Sequence, residues 1–126
     1  MTEAPAGPSQ PGTEPEPTVT SLDQLTVTVE ANAAPPVITL AGELDPHTAP
    51  LLERAVAQLL ADGSTDLVLD LSQLAFVDSS GLRVLISAQR QLADQDGTLT
   101  LRAPSETVRR LLEITGLIDH IAITGL

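Results

Sequence analysis

Residues Val68–Leu85 read VLDLSQLAFVDSSGLRVL. The stretch begins inside Leu67–Leu71, LVLDL, a short and nearly all-apolar run with the look of a strand buried on both faces. It ends inside Leu82–Ala93, where Leu82, Leu85, Ile86 and Leu92 recur at helical spacing, with a polar break at Gln89. Between the two lie Ser72–Val77 and then Asp78-Ser79-Ser80-Gly81. Asp and Ser accept hydrogen bonds from the first free N–H groups of a helix, and Gly relaxes the backbone there. The segment therefore reads as a buried strand, a capped turn and an amphipathic helix.

The flanks repeat this alternation. On the N-terminal side, Leu25–Glu30 alternates apolar residues with Thr, as a half-buried strand does. Pro35-Pro36 break it, and Val37–Ala41 forms a second strand ending at Gly42. Asp45-Pro46 marks a turn. Thr48 is placed to cap a helix that tolerates Pro50 in its first turn and carries Leu52, Ala55, Val56, Leu59 and Leu60 on one face. On the C-terminal side, Asp96-Gly97 turns into a strand over Thr98–Arg102. Ser105 caps a third helix, Glu106–Thr115, closed by Gly116, and Ile121–Ile123 is a candidate last short strand. The order β-β-α-β-α-β-α implies right-handed crossovers and an α/β fold: a mixed, mostly parallel sheet with helices packed on it.

Residues 1–21 differ in composition. Five of the ten prolines lie there (Pro5, Pro8, Pro11, Pro15, Pro17), among Ser, Thr, Gly and Glu. Such a stretch has little apolar surface to offset its ordering entropy, so it is expected to be a disordered tail preceding one domain over residues 22–126.

With 126 residues, 42% of them hydrophobic, the chain is long enough for one core. Six Arg, no Lys and 17 Asp plus Glu give a net charge of −11. That balance disfavours nucleic acid and anionic membranes, which require clustered cations. The absence of Cys removes disulfides, thiol nucleophiles and thiolate metal sites, and His47 and His120 alone cannot build a multi-His centre, so no metal or cofactor is expected. No apolar run reaches the roughly 18 residues of a membrane span, and the N-terminus lacks a signal-peptide pattern. A cytoplasmic protein is expected. The single aromatic, Phe76, argues against stacking sites for bases or sugars.

In α/β sheets, sites gather where strands end and helices begin, which here means Gly42–Thr48 and Asp78–Gly81. Neither turn carries a phosphate-binding Gly-Lys loop, a G-x-S-x-G elbow, H-E-x-x-H or G-x-G-x-x-G. Ser80, His47 and Asp45 can be written as a triad, but a triad is defined by geometry that sequence does not supply. No enzymatic activity is expected. Asp78-Ser79-Ser80-Gly81 is accounted for by capping alone, worth about 1 kcal/mol. Two serines at an exposed helix start also form a phosphoacceptor site, where a phosphate adds about −1.5 to −2 charges.

Two motifs carry a family resemblance. Asp70-Leu71-Ser72-Gln73-Leu74-Ala75-Phe76-Val77-Asp78-Ser79-Ser80-Gly81-Leu82 resembles the D-L-S-x-V-x-F-x-D-S/T-S/A-G-L signature of the STAS family, which includes bacterial anti-sigma factor antagonists. Leu40-Ala41-Gly42-Glu43-Leu44-Asp45 resembles the family's L-x-G-E-L-D. Val108–Leu117, VRRLLEITGL, agrees with its third helix, and the likeness covers roughly residues 25–126. The resemblance implies a STAS-like domain that binds an anti-sigma factor with Ser/Thr kinase activity and so releases a sigma factor. It implies that this kinase phosphorylates Ser80, that a protein phosphatase reverses the mark, that Asp78 supports the kinase contact, and that Asp45 is another acid near the same surface. The partner surface expected on this basis comprises Asp45, Asp78, Ser79, Gly81 and Leu82, with Arg83, Val84 and Ser87 on the outward face of the second helix. Arg83 stands where many members have Gly, and Pro46-His47 follow Asp45 where small or apolar residues are usual. Other STAS domains are scaffold subunits of lipid-transport or stress-signalling complexes and need no phosphoserine.

Overall fold

The computed structural model describes residues 16–125. Six strands form one sheet: β1 (Thr18–Leu22), β2 (Leu25–Glu30), β3 (Val37–Leu44), β4 (Leu67–Val77), β5 (Leu99–Arg102) and β6 (Ala122–Thr124). Among the described residues three helices connect them, α1 (Ala49–Ala61), α2 (Ser79–Ala93) and α3 (Glu106–Thr115), and a 3-10 turn follows at Leu117–Asp119. The strands lie side by side in sequence order. β1, β2 and β3 pair antiparallel, while β3 to β6 pair parallel. The sheet is therefore mixed, and the α/β architecture expected from the sequence is present.

Three crossovers step in one direction, from β3 to β6. Right-handed connections then place α1, α2 and α3 on the same face of the sheet. Burial follows this: Leu67, Leu69 and Leu71 of β4 are buried, whereas Val68 and Asp70 between them are half-exposed. β4 is thus covered on one face, not two. Ile38, Leu40, Leu52, Leu85, Leu92, Leu101 and Leu112 fill the space between sheet and helices. On the uncovered face Arg102 grips the Asp70 carboxylate through Nε at 3.0 Å and a terminal guanidinium nitrogen at 2.8 Å.

The expected boundary at residue 21 falls inside β1, because Thr18–Leu22 pairs residue by residue with Leu25–Val29 across a two-residue turn. Asp23 in that turn takes φ +50, a conformation Asp tolerates better than most residues. The start of the tail, residues 1–15, lies outside the described residues. β4 runs through Ser72–Val77, past the end of the apolar run. Two register shifts against β3 change its burial period, so that Leu71, Leu74 and Val77 face the core three residues apart. The helix ends of α3 follow the sequence: Ser105 Oγ accepts from Val108 N–H at 3.2 Å, and Gly116 takes φ +79.

Candidate functional site

β3 and β4 are neighbouring parallel strands whose last paired residues are Leu44 and Val77. The loops that follow them, Asp45–Thr48 and Asp78 with the start of α2, are therefore side by side. The Asp78 backbone N–H donates to the Leu44 carbonyl at 3.1 Å and joins the two loops. The sequence-predicted residues Asp45, Asp78, Ser79 and Ser80 thus share one end of the sheet.

Asp78 caps α2. Its Oδ1 accepts from the N–H groups of Ser80 at 2.9 Å and Gly81 at 3.1 Å. Ser79 and Ser80 occupy the first helical turn; Ser79 is exposed and Ser80 half-buried. Gly81 is buried, and it is required by space, not by backbone freedom. A Cβ there would lie 2.5 Å from Val77 Cγ2 and 2.6 Å from Leu44 Cδ2. The missing side chain lets α2 begin directly above the ends of β3 and β4, which fixes where Ser80 stands.

The Asp45 loop is held by its own polar groups. Asp45 Oδ1 accepts from the N–H groups of Thr48 and His47, both at 2.9 Å, and lies 3.1 Å from the Thr48 hydroxyl. These bonds, the Thr48 N–H foremost, hold the Asp45 carboxyl below the ordinary carboxylate range, assisted by the nearby His47. Thr48 does not cap α1 as expected. Its backbone is already helical, and its buried hydroxyl instead accepts from Asp45 N–H at 2.9 Å and donates to the Glu43 carbonyl at 3.0 Å. The Asp45 carboxylate closes the turn ahead of α1 around Pro46-His47, and the Asp45 backbone carbonyl accepts from the Ala49 N–H at 2.8 Å. His47 Nε2 reaches the Asp23 carboxylate in the β1–β2 turn at 2.5 Å. The Glu43 N–H donates to the Gln24 carbonyl at 2.9 Å, so that turn also abuts the site.

Along α2, Arg83 is exposed and Ser87 half-buried, with Gln91 Nε2 donating to Ser87 Oγ at 3.1 Å. Val84 is not on the outward face. It is 8% exposed and packs toward α1 in a cleft shared with Val56 and Ala88. Leu82 and Gly81 are buried beneath the surface that Ser79, Ser80 and Arg83 form. Phe76, the chain's single aromatic, is 45% exposed on the bulged end of β4 opposite Glu43.

Residues 27–124 match the family model described as "Mlab, STAS domain". The chain belongs to the STAS domain family. Among curated relatives, the anti-sigma-B factor antagonist of Bacillus subtilis is 35% identical over 101 residues, 80% of this chain and 92% of that protein. Among solved structures, an anti-sigma factor antagonist from Mycobacterium paratuberculosis superposes with a TM-score of 0.74 at 32% identity, covering 85% of this chain and 91% of that one. The anti-sigma factor antagonist SpoIIAA is also similar. Its unphosphorylated form gives a TM-score of 0.68 at 27% identity, covering 77% of this chain and 86% of that one. Its phosphorylated form from Bacillus gives 0.63 at the same identity, covering 77% and 89%. No helix among the described residues is long and apolar enough to cross a membrane.

Proposed function

We propose that this STAS domain is a cytoplasmic anti-sigma factor antagonist. It binds an anti-sigma factor with Ser/Thr kinase activity, frees a sigma factor, and is switched off when that kinase phosphorylates Ser80; a phosphatase restores it. The observation that carries the reading is the position of Ser80: half-exposed in the first turn of α2, beside Asp78 and the Asp45 loop. The names of the relatives support it, as does the existence of a similar protein in both phosphorylated and unphosphorylated forms. Ser80 is a substrate in this reading, and the domain has no catalysis of its own.

The energetics suit a switch. A phosphate near a helix N-terminus gains about 0.3–1 kcal/mol from the helix dipole, so the fold tolerates it. A docked partner must desolvate or displace the phosphate and its roughly −1.5 to −2 charges. A hundredfold loss of affinity needs only about 2.7 kcal/mol. The surface expected to meet the partner is Asp45, Asp78, Ser79, Ser80 and Arg83, with Ser87 further along.

The test compares wild type, Ser80→Ala and Ser80→Asp as baits for the anti-sigma kinase, together with mass spectrometry of the wild type after incubation with kinase and ATP. Retention by wild type and Ser80→Ala, loss by Ser80→Asp and one phosphate on Ser80 are expected. Equal capture by all three baits would instead favour a scaffold subunit of a lipid-transport or stress-signalling complex.

A further inference from the structure

We propose that the free edge of β1 pairs with the same edge of a second copy of this chain, antiparallel and centred on Thr20. This pairing is independent of the Ser80 switch. Among the described residues β1 has β2 on one side and no strand on the other. The register shows which of its backbone groups are left over. The Glu43 N–H donates to the Gln24 carbonyl at 2.9 Å, so Gln24 turns its backbone groups toward β3. Alternation then turns Leu25, Val27 and Val29 toward β1, where they face Leu22, Thr20 and Thr18. The two-residue turn at Asp23-Gln24 agrees, since such a turn closes on a hydrogen bond between its flanking residues, here Leu22 and Leu25. The N–H and C=O groups of Val19 and Ser21 therefore point away from the sheet.

A row of this kind takes an extended strand, which offers donors and acceptors at the same spacing. The symmetry of β1 makes a second copy the occupant. Val19 and Ser21 stand on either side of Thr20. With a two-fold axis at Thr20, Val19 of each copy meets Ser21 of the other as a hydrogen-bonded pair, so every outward N–H and C=O of both residues finds a partner. Thr20 then faces Thr20 of the second copy, and Thr18 faces Leu22. Val19 is 61% exposed on the sheet face opposite the helices, beside Thr28. In the pair it lies between Thr28 and Ser21 of the second copy, which covers it.

Charge selects the same strand. The chain carries a net charge of −11, so two copies repel wherever acids meet. Thr18–Leu22 contains no charged residue, no Pro and no bulge, which are the devices that keep an edge unpaired. The nearest acids lie beyond its ends. Glu16 falls opposite Gln24 of the second copy, next to Asp23, whose carboxylate already pairs with His47. The opposite edge, β6, has three residues against the five of β1 and offers a shorter ladder. A contact between two five-residue edges is small, so the dimer is weak and concentration-dependent.

The experiment is sedimentation velocity on the full chain over a range of concentrations, for wild type, Val19→Pro, Thr20→Lys and Ala122→Lys. Val19→Pro removes an outward N–H and leaves the bonds to β2 in place. Thr20→Lys sets like charges opposite each other at the two-fold axis. Ala122→Lys is the control on the exposed β6 edge. A wild-type dimer is expected, with its dissociation constant raised roughly tenfold or more by Val19→Pro and Thr20→Lys. Ala122→Lys is expected to change it by less than about twofold, as a surface substitution away from the contact does. In wild type, amide hydrogen exchange at Val19 and Ser21 is expected to slow as concentration rises, while Thr20, bonded to β2, keeps its rate. A wild type that stays monomeric at the highest concentration overturns the proposal. So does a dimer that survives both β1 substitutions, or one that only Ala122→Lys dissociates, which places the pairing at β6. The exchange measurement needs no variant to fold. Equal rates at Val19 and Ser21 across the concentrations overturn the β1 contact, and rates equally slow throughout mean that the edge is covered within one chain.

Discussion

The Asp78 N–H donates to the Leu44 carbonyl at 3.1 Å, one step past the last ladder pair of β3 and β4. This bond extends the parallel ladder into the loops. It couples the residue that caps α2 to the strand that leads into the Asp45 loop. Ser80 is consequently positioned by two strands, not by a flexible turn. A site assembled this way can present a modified or unmodified serine to a partner against a fixed background.

Asp78→Ala removes the acceptor for the Ser80 and Gly81 N–H groups. Loss of a cap costs about 1–2 kcal/mol, which for a domain of this size lowers the melting temperature by several degrees. Asp78→Ser keeps a capping oxygen and is expected to recover most of the loss. Thermal unfolding by circular dichroism distinguishes the two, and an Ala variant as stable as wild type would remove the cap from the argument.

Gly81→Ala sets two effects against each other. Ala favours a helix interior by about 1 kcal/mol over Gly. Its methyl, however, would stand 2.5 Å from Val77 and 2.6 Å from Leu44, both buried. Overpacking of this kind costs about 1–3 kcal/mol, so a net loss of stability is expected. Urea unfolding with an unchanged slope and a lower midpoint is the expected outcome. A raised midpoint would mean that the two side chains repack freely.

Local signals in the sequence located most elements, since caps and alternation act within a few residues. Leu25–Glu30 and Glu106–Thr115 have in the structure the bounds read from the sequence. What escaped depended on other parts of the chain. Thr18–Leu22 adjoins a Pro- and Glu-rich stretch and becomes a strand through its pairing with β2. The extension of β4 to Val77 depends on register shifts against β3. Val84 was placed outward by counting from Ser80, but α1 packs over that side of α2. Thr48 has the chemistry of a cap, yet its hydroxyl is drawn into the turn by Asp45 and Glu43. The candidate site was legible because its two motifs end consecutive parallel strands, a relation that topology rules supply.

The lowered Asp45 pKa links stability to acid. Its folded-state pKa lies below the ordinary 3.8, chiefly through the Thr48 N–H. The ionised carboxylate therefore stabilises the folded state at pH values above 3.8, and that contribution is lost as pH falls through the folded-state pKa. Asp45→Asn cannot ionise and should lack it at every pH. Melting temperatures of wild type and Asp45→Asn are expected to differ at pH 6, and the difference to shrink as pH falls below 3.8. A constant gap across this range would place the effect in loop packing, not in the charge.

Ser80→Asp should separate binding from folding. The new carboxylate sits in the first turn of α2, where the helix dipole favours a negative charge by about 0.3–1 kcal/mol. Repulsion from the Asp78 carboxylate offsets part of that gain, because both groups face water, where such pairs are worth about 1 kcal/mol or less. The two terms nearly cancel, and the melting temperature is expected to stay within about 4 °C of wild type. The affinity for the anti-sigma kinase is expected to fall about a hundredfold over the same substitution. If Ser80→Asp instead melts far below wild type, loss of binding reports unfolding, and the serine acts on the fold before it acts on the partner.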